Sequence, residues 1–200
     1  PHPAYWIERV RHREPEAAEE RMRYSDLVEH MDSGIGRVLD ILEKTDQLSN
    51  TLVIYTSDNG GQLNVGATNG ILRGAKGQMY EGGIRVPACA MWSSQIDPGK
   101  VTTQVAMLMD LFPTICQVAD VEICHHIEGK SIFPTLRGER QDLSERNLYW
   151  VRKEGGQAFL GLNQHSVRQG NIKLLHNSPF EPLELYDLSA DPQESHNIVH

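Results

Sequence analysis

The sequence predicts an α/β fold in which part of a helix-flanked mixed sheet is followed by a small antiparallel sheet. Three observations carry this. Residues 16–42 place Tyr24, Leu27, Val28, Met31, Ile35, Val38, Leu39 and Leu42 at three- and four-residue steps, the period of an amphipathic helix. A strand-like run, TLVIYTS from Thr51, follows directly, and helix then buried strand is the pattern of α/β architecture. Beyond about Arg140 the chain changes to short segments, LYWV, AFLGL, SVRQ, IKLLH and LELYDL, separated by Gly, Asn and Pro, as in an antiparallel sheet. The division expected is therefore an α/β core over residues 1–140 and an antiparallel subdomain over residues 141–200.

The elements follow in order. Pro15 suits the start of the first helix, and Thr45-Asp46 with Ser49-Asn50 suits the loop after it. Thr51 to Ser57 carries apolar or β-branched residues on both alternating faces, which suits a parallel strand covered on each side. Residues 60–83 hold eight glycines and little apolar periodicity, so a long structured loop is expected, and such loops in compact domains are usually functional. Residues 84–92 return to strand character, with Pro87 near the start. Residues 101–118 read as helix in two pieces, with Asp110 capping the second and Pro113 inside its first turn.

Composition narrows the function. The 200 residues suffice for one core or a core with an appendage, and apolar content of 39% with 23% charged residues excludes overall disorder. Net charge is −8 with Lys and Arg scattered, so nucleic acid is excluded as a partner. No apolar stretch approaches the ~20 residues that a bilayer needs, so no membrane span is expected. PHPAYWIERV lacks a basic stretch followed by an apolar one, so no signal peptide is expected at this start. Cys89, Cys116 and Cys124 have no C-x-x-C spacing, and Cys124-His125-His126 are adjacent residues that do not close a tetrahedral shell alone.

Three places hold candidate chemistry. Asp58 and Asn59 lie where a strand's carboxyl end meets a loop, the place where open α/β sheets bind ligands. Their oxygens are of the hard type that Ca²⁺ and Mg²⁺ prefer, although a tight Asp-Asn-Gly turn with self-bonding side chains explains them equally well locally. LRGAKGQMYEGGIRVP sets Lys76, Glu81 and Arg85 among glycines. A compact ammonium there suits a tetrahedral anion or a departing oxygen, against the plain alternative of a solvated lysine. His2 has the acid–base range for catalysis near neutral pH.

The order Tyr24, Asp32-Ser33-Gly34, Asn50-Thr51, SDNGG, LRGAKGQMYEGGIRVP, DLFPT and LYDLSADPQESHNI resembles the carboxyl-terminal part of a type I, arylsulfatase-like sulfatase of the alkaline phosphatase superfamily. The resemblance covers nearly the whole chain. It implies Ca²⁺ held by Asp58 and Asn59 together with acidic residues nearer the amino terminus, with Mg²⁺ as the alternative ion. It implies that Lys76 touches the sulfate and stabilises the leaving oxygen, and that His2 in PHP matches a family histidine. Glu81 and Arg85 are expected to organise the loop, pairing with each other. Leu185, Tyr186 and Leu188 are expected to pack the last strand, with Asp191-Pro192 as a turn and no chemistry assigned to that segment.

One departure limits the functional claim. The family's nucleophile is a formylglycine made from Cys or Ser in C/S-x-P/A-x-R, whereas the three cysteines here begin CAMWS, CQVAD and CHHIE. The resemblance therefore implies a piece of an enzyme, inactive alone, whose longer form cleaves sulfate monoesters of a small molecule or carbohydrate. It also implies a periplasmic, secreted or lysosomal location. Exposed sheet edge and apolar surface lead us to expect self-association of the chain alone. A phosphodiesterase or phosphonate hydrolase of the same superfamily, or a non-catalytic relative, stays open at this point.

Overall fold

A computed structural model of the chain describes residues 19–153 and 162–199. Helix α1 (Glu19–Lys44) has Glu19 and Glu20 in its first turn and Lys44 in its last, the charge order that the helix dipole favours. It ends where Asp46 turns left-handed at φ 57°. The apolar stripe read from the sequence is there, but Leu27, Val28, Met31 and Val38 are exposed among the described residues, and Met22 and Asp26 are the buried positions. The first turn of α1 is pressed by the glycine-rich loop. Arg21 donates to the Gly66 carbonyl, and a Cβ at Gly66 would lie 2.6 Å from the Glu20 carbonyl oxygen.

Strand β1 (Val53–Thr56) pairs with β2 (Ala88–Met91), and the pairing is antiparallel, with Val53 opposite Met91 and Thr56 opposite Ala88. The expectation of a parallel strand is corrected here. Side chains on both faces are compatible with either direction; the direction is set by the glycine-rich loop, which brings the chain straight back alongside β1 without a crossover helix. The strand expected over residues 84–92 is shorter for a related reason. Glu81–Ile84 form a helical turn, α2, the chain is extended at Arg85, and β2 begins only after Pro87. Pro87 lends its carbonyl to the Ser57 amide, which carries the pairing one step past β1.

Residues 101–107 form no helix. A single turn at 108–110 leads into α3 (Leu111–Val118), with Pro113 in its first turn as expected. Asp110 was expected to cap that helix, and its side chain makes no cap bond to it. Its carboxylate accepts instead from the Met107 amide at 2.8 Å, which caps the preceding turn, from the Lys130 amide at 2.8 Å, and from both terminal nitrogens of Arg146 at 2.8 and 3.0 Å. A fully buried carboxylate needs all four of these donors, and one helix end offers too few. Thr114 extends the node: its hydroxyl donates to the Asp110 carbonyl and accepts from the Ile132 amide, just ahead of the short helix α4 (Phe133–Leu136).

The second sheet is an antiparallel meander of β3 (Asn147–Lys153), β4 (Asn163–Gln169), β5 (Ile172–His176) and β6 (Glu184–Asp187) in that order. LYWV, SVRQ, IKLLH and LELYDL fall on these strands, while AFLGL lies almost wholly outside the described residues. Leu175 and Tyr186 are fully buried against Met79 of the glycine-rich loop, with Tyr80, Ile84, Trp150 and Leu188 around them. The core of this sheet is therefore closed by the loop rather than by a helix. On β3 the alternate side chains Tyr149 and Val151 point outward and are exposed.

Arg146→Met would leave Asp110 as an uncompensated buried charge. It is expected to lower unfolding free energy by roughly 3–5 kcal/mol, read as a fall in urea midpoint at unchanged slope.

Candidate functional site

The SDNGG turn at the end of β1 uses one polar atom of each side chain on itself. The Ser57 hydroxyl donates to the Asn59 carbonyl at 3.0 Å, the Asn59 amide donates to Asp58 Oδ1 at 2.9 Å, and Asn59 Nδ2 donates to the Gly60 carbonyl at 2.8 Å. Asp58 Oδ2 and Asn59 Oδ1 accept no hydrogen bond from the described residues. The turn is therefore a self-bonded Asp-Asn-Gly turn and also a source of two uncommitted hard oxygens, so the two local explanations are compatible.

Backbone contacts hold the glycine-rich loop to this turn. The Gly60 amide donates to the Gly83 carbonyl at 2.9 Å, and the Lys76 amide donates to the Gly61 carbonyl at 3.0 Å. Asn69 braces the crossing: its Oδ1 accepts from the Gly61 amide at 2.7 Å and its Nδ2 donates to the Gly74 carbonyl at 2.9 Å. A Cβ at Gly60 would lie 1.8 Å from the Gly82 carbonyl oxygen, and one at Gly83 would lie 2.1 Å from that of Gln78. Glycine is demanded at both by close approach of backbone. Asp58, Asn59 and Lys76 are thereby brought into one open cleft of about 1770 Å³. The Lys76 ammonium is exposed there, with no hydrogen bond or ion pair among the described residues.

The loop is tied to the antiparallel sheet by two polar groups, one fully buried and one half-buried. In the first, Lys173 Nζ, fully buried on β5, lies 2.9 Å from Glu81 Oε1 and 2.8 Å from Glu194 Oε1. Glu194 Oε2 accepts from the Glu81 amide at 2.6 Å, and Arg168 Nη1 lies 3.4 Å from Glu81 Oε2. Arg85 reaches Glu81 only at 4.0 Å from an exposed position, so the expected Glu81–Arg85 pair is the weakest of Glu81's contacts.

In the second group, the Glu184 carboxylate accepts from the hydroxyls of Tyr80 and Tyr186 and from Asn177 Nδ2, with Arg73 at 3.5 Å. The Arg73 guanidinium lies 3.9 Å from the centre of the Tyr80 ring. Burial is the largest single influence on Glu184 and pushes its pKa up, but the bonds from Tyr186, Tyr80 and Asn177 with the Arg73 charge outweigh it, so the carboxyl is held below its ordinary value. Burial first, and then the Glu184 bond and charge, push the Tyr186 hydroxyl up to about 12.

His2 lies outside the described residues, so the structure says nothing of its place. Among the described residues no cluster of three or more His, Cys, Asp or Glu side chains is placed to hold a metal. Sequence reasoning missed Lys173, Glu194, Glu184 and Tyr80. For Lys173 a signal existed: it shares the inward parity of Leu175 in IKLLH, so the strand places a lysine in the core. Glu194 sits at φ 54° in the segment to which no chemistry was assigned, and nothing local marks it.

Comparison with known proteins assigns the chain to a family. The model of the Sulfatase family matches residues 1–121. The chain belongs to the sulfatase family. A second sulfatase model, N-sulphoglucosamine sulphohydrolase, C-terminal, matches residues 75–200. Steryl-sulfatase of Mus musculus is 40% identical over 203 residues, 86% of this chain and 32% of its own length. Arylsulfatase A of Homo sapiens is 32% identical over 197 residues, 88% of this chain and 39% of its own. This sulfatase chain thus spans about a third of the length of the curated relatives it matches. A structure of Ps i-CgsB in complex with k-i-k-neocarrahexaose superposes at TM-score 0.85, with 27% identity over 96% of this chain and 42% of that one. A structure of BT4656 with its substrate D-glucosamine-2-N,6-O-disulfate superposes at 0.74, with 27% identity over 98% of this chain and 41% of that one. The mixed α/β architecture is that of the alkaline phosphatase-like sulfatases.

The three predictions here concern stability. Gly83→Ala is expected to cost roughly 3 kcal/mol or more, read by chemical denaturation, because neither the Gln78 carbonyl nor the Ala75 carbonyl is the movable end of a side chain. The Glu184 carboxyl is depressed in the folded state, so its contribution is fully present above the ordinary value of about 4.3 and is lost as pH falls through the folded value. The stability difference between the native chain and Glu184→Gln is therefore expected to shrink below about pH 4.3. Tyr186 is raised, so the advantage over Tyr186→Phe is expected to hold up to about pH 10 and to fade toward about 12.

Proposed function

We propose that the cleft is the metal and leaving-group side of a sulfate monoester hydrolase site. In this reading residues 1–140 belong to the catalytic core and residues 141–200 form a supporting subdomain. The observation that supports the reading is the shared cleft: the Lys76 amide bonds to the Gly61 carbonyl, and the unpaired Lys76 side chain lines the same cleft as Asp58 and Asn59 in a member of the sulfatase family. Asp58 Oδ2 and Asn59 Oδ1 fit Ca²⁺, or Mg²⁺, as two of the several oxygens such an ion collects, and further ligands must come from other residues. A bound divalent ion would supply Lewis-acid withdrawal of charge from the sulfate oxygens.

The remaining chemistry falls to side chains. As the S–O bond to the leaving group breaks, negative charge gathers on the departing oxygen, and the Lys76 ammonium neutralises it in a cleft partly screened from water. His2 is proposed as the group that protonates that oxygen. The nucleophile in this reading is a formylglycine residue outside these 200 residues, since no cysteine and no serine among them begins C/S-x-P/A-x-R. The substrate proposed is a sulfated carbohydrate or small molecule. Ps i-CgsB and BT4656 are described with an oligosaccharide and a disulfated glucosamine, and their likeness supports the carbohydrate class.

The test is turnover of an aryl sulfate. The purified 200-residue chain is expected to show none, and a formylglycine-bearing protein containing these residues is expected to show it, with Lys76→Ala lowering kcat/KM about 10²- to 10³-fold. Asp58→Ala should weaken Ca²⁺ binding measured by calorimetry. Turnover by the 200-residue chain, or preference of the longer protein for a phosphodiester over the sulfate, would overturn the reading.

A further inference from the structure

We propose that Lys173 and Glu194 are positioning residues for Lys76, acting through Glu81 to hold the loop that aims the ammonium into the cleft; the inference rests on the leaving-group role given to Lys76. Both lie far from it in sequence. The chain of contacts is continuous. Lys173 Nζ is clamped between Glu81 and Glu194, and Glu194 Oε2 takes the Glu81 amide at 2.6 Å. The Glu194 carbonyl also accepts from Arg73 Nη1 at 2.7 Å, and the Arg73 carbonyl accepts from the Gly82 amide at 2.7 Å. Gly82 and Gly83 follow Glu81 directly, and the Gly83 carbonyl receives the Gly60 amide of the metal turn. The Ala75 and Gln78 carbonyls, which flank Lys76, lie where a Cβ on Gly83 would collide. Lys76 therefore rides on a glycine pair whose entry is fixed by the two carboxylates that share Lys173.

The charges explain why a fixed geometry results. Glu81 and Glu194 against Lys173 and Arg168 give two of each sign, and the Lys173 and Glu194 side chains are wholly enclosed. Two buried carboxylates repel unless the ammonium stays between them, so the arrangement has one low-energy form. A loop held only by surface contacts would have many.

The experiment uses Glu194→Gln and Lys173→Met in the formylglycine-bearing protein, with Lys76→Ala as reference, on aryl sulfates whose leaving phenols span several units of acidity. A group that stabilises the departing oxygen matters most when the phenol is a poor leaving group. Lys76→Ala is expected to slow poor leaving groups about 10²-fold or more beyond good ones. Glu194→Gln and Lys173→Met are expected to steepen the same dependence, by about tenfold across the series, through kcat rather than KM, and to add little once Lys76 is already alanine. A uniform fall across all phenols would show a merely structural role and overturn the inference. A flat response to Lys76→Ala would overturn the reading of Lys76 itself. In the 200-residue chain, amide exchange supplies a second measurement on the milder Lys173→Arg. Faster exchange at Gly60, Lys76 and Gln78 with unchanged exchange in α1 is expected, and unchanged exchange at those three amides would overturn the proposal.

Discussion

Two stretches of backbone cross at the end of β1 so closely that neither tolerates a side chain at the crossing. Gly60 meets Gly82 and Gly83, and the amides and carbonyls exposed by the approach bond to one another. The rest of the site follows from that contact. The SDNGG turn cannot swing away from the loop, so Asp58, Asn59 and Lys76 share one cleft although 17 residues separate Asn59 from Lys76 in the numbering. Hydrogen bonding alone would allow the crossing to slide; the steric fit of glycine against carbonyl fixes its register.

Such a contact needs support, because glycine-rich backbone is entropically costly to order. Support comes from the antiparallel sheet, which gives the loop Leu175 and Tyr186 to pack on and two carboxylate-centred groups to bond to, one buried and one half-buried. The price is an enclosed lysine and two enclosed glutamates, a combination that apolar residues could replace without loss of stability. Its effect lies in geometry: charges of opposite sign at 2.8 and 2.9 Å leave little freedom in where Glu81 sits. Asp110 and Arg146 do the same work at the other join between the first part of the chain and the sheet.

How far the sequence could be read depended on how local each feature is. The 3.6-residue period of α1, the short segments of β3 to β6 set off by Gly, Asn and Pro, and the glycine density around Lys76 are local, and each was legible. Strand direction was not, since β1 looks the same whichever way its neighbour runs. Asp110 shows the limit well. Its neighbours make it a helix cap, and only the arrival of Arg146 and the Lys130 amide makes it a junction. Glu194 was illegible for the same reason: its partners Glu81 and Lys173 are remote, and a glutamate in a turn after Asp-Pro gives no sign that it will be enclosed. Asp58, Asn59 and Lys76 are singled out by the motif rather than by their local chemistry, and the structure sets them along one cleft.

The clasp between the loop and Glu194 closes across 113 residues, and the Arg73 bond to the Glu194 carbonyl across 121. Long closures of this kind form late, after local helices and hairpins. During synthesis the segment bearing Lys76 leaves the ribosome well before residue 194 exists, so β1, α3 and α4 have time to form while the loop still lacks its anchor. The glycine-rich loop is thus anchored in the order opposite to its place in the chain, and a nascent chain stopped short of Glu194 would hold Asp58, Asn59 and Lys76 without the clasp that Glu194 makes to the loop.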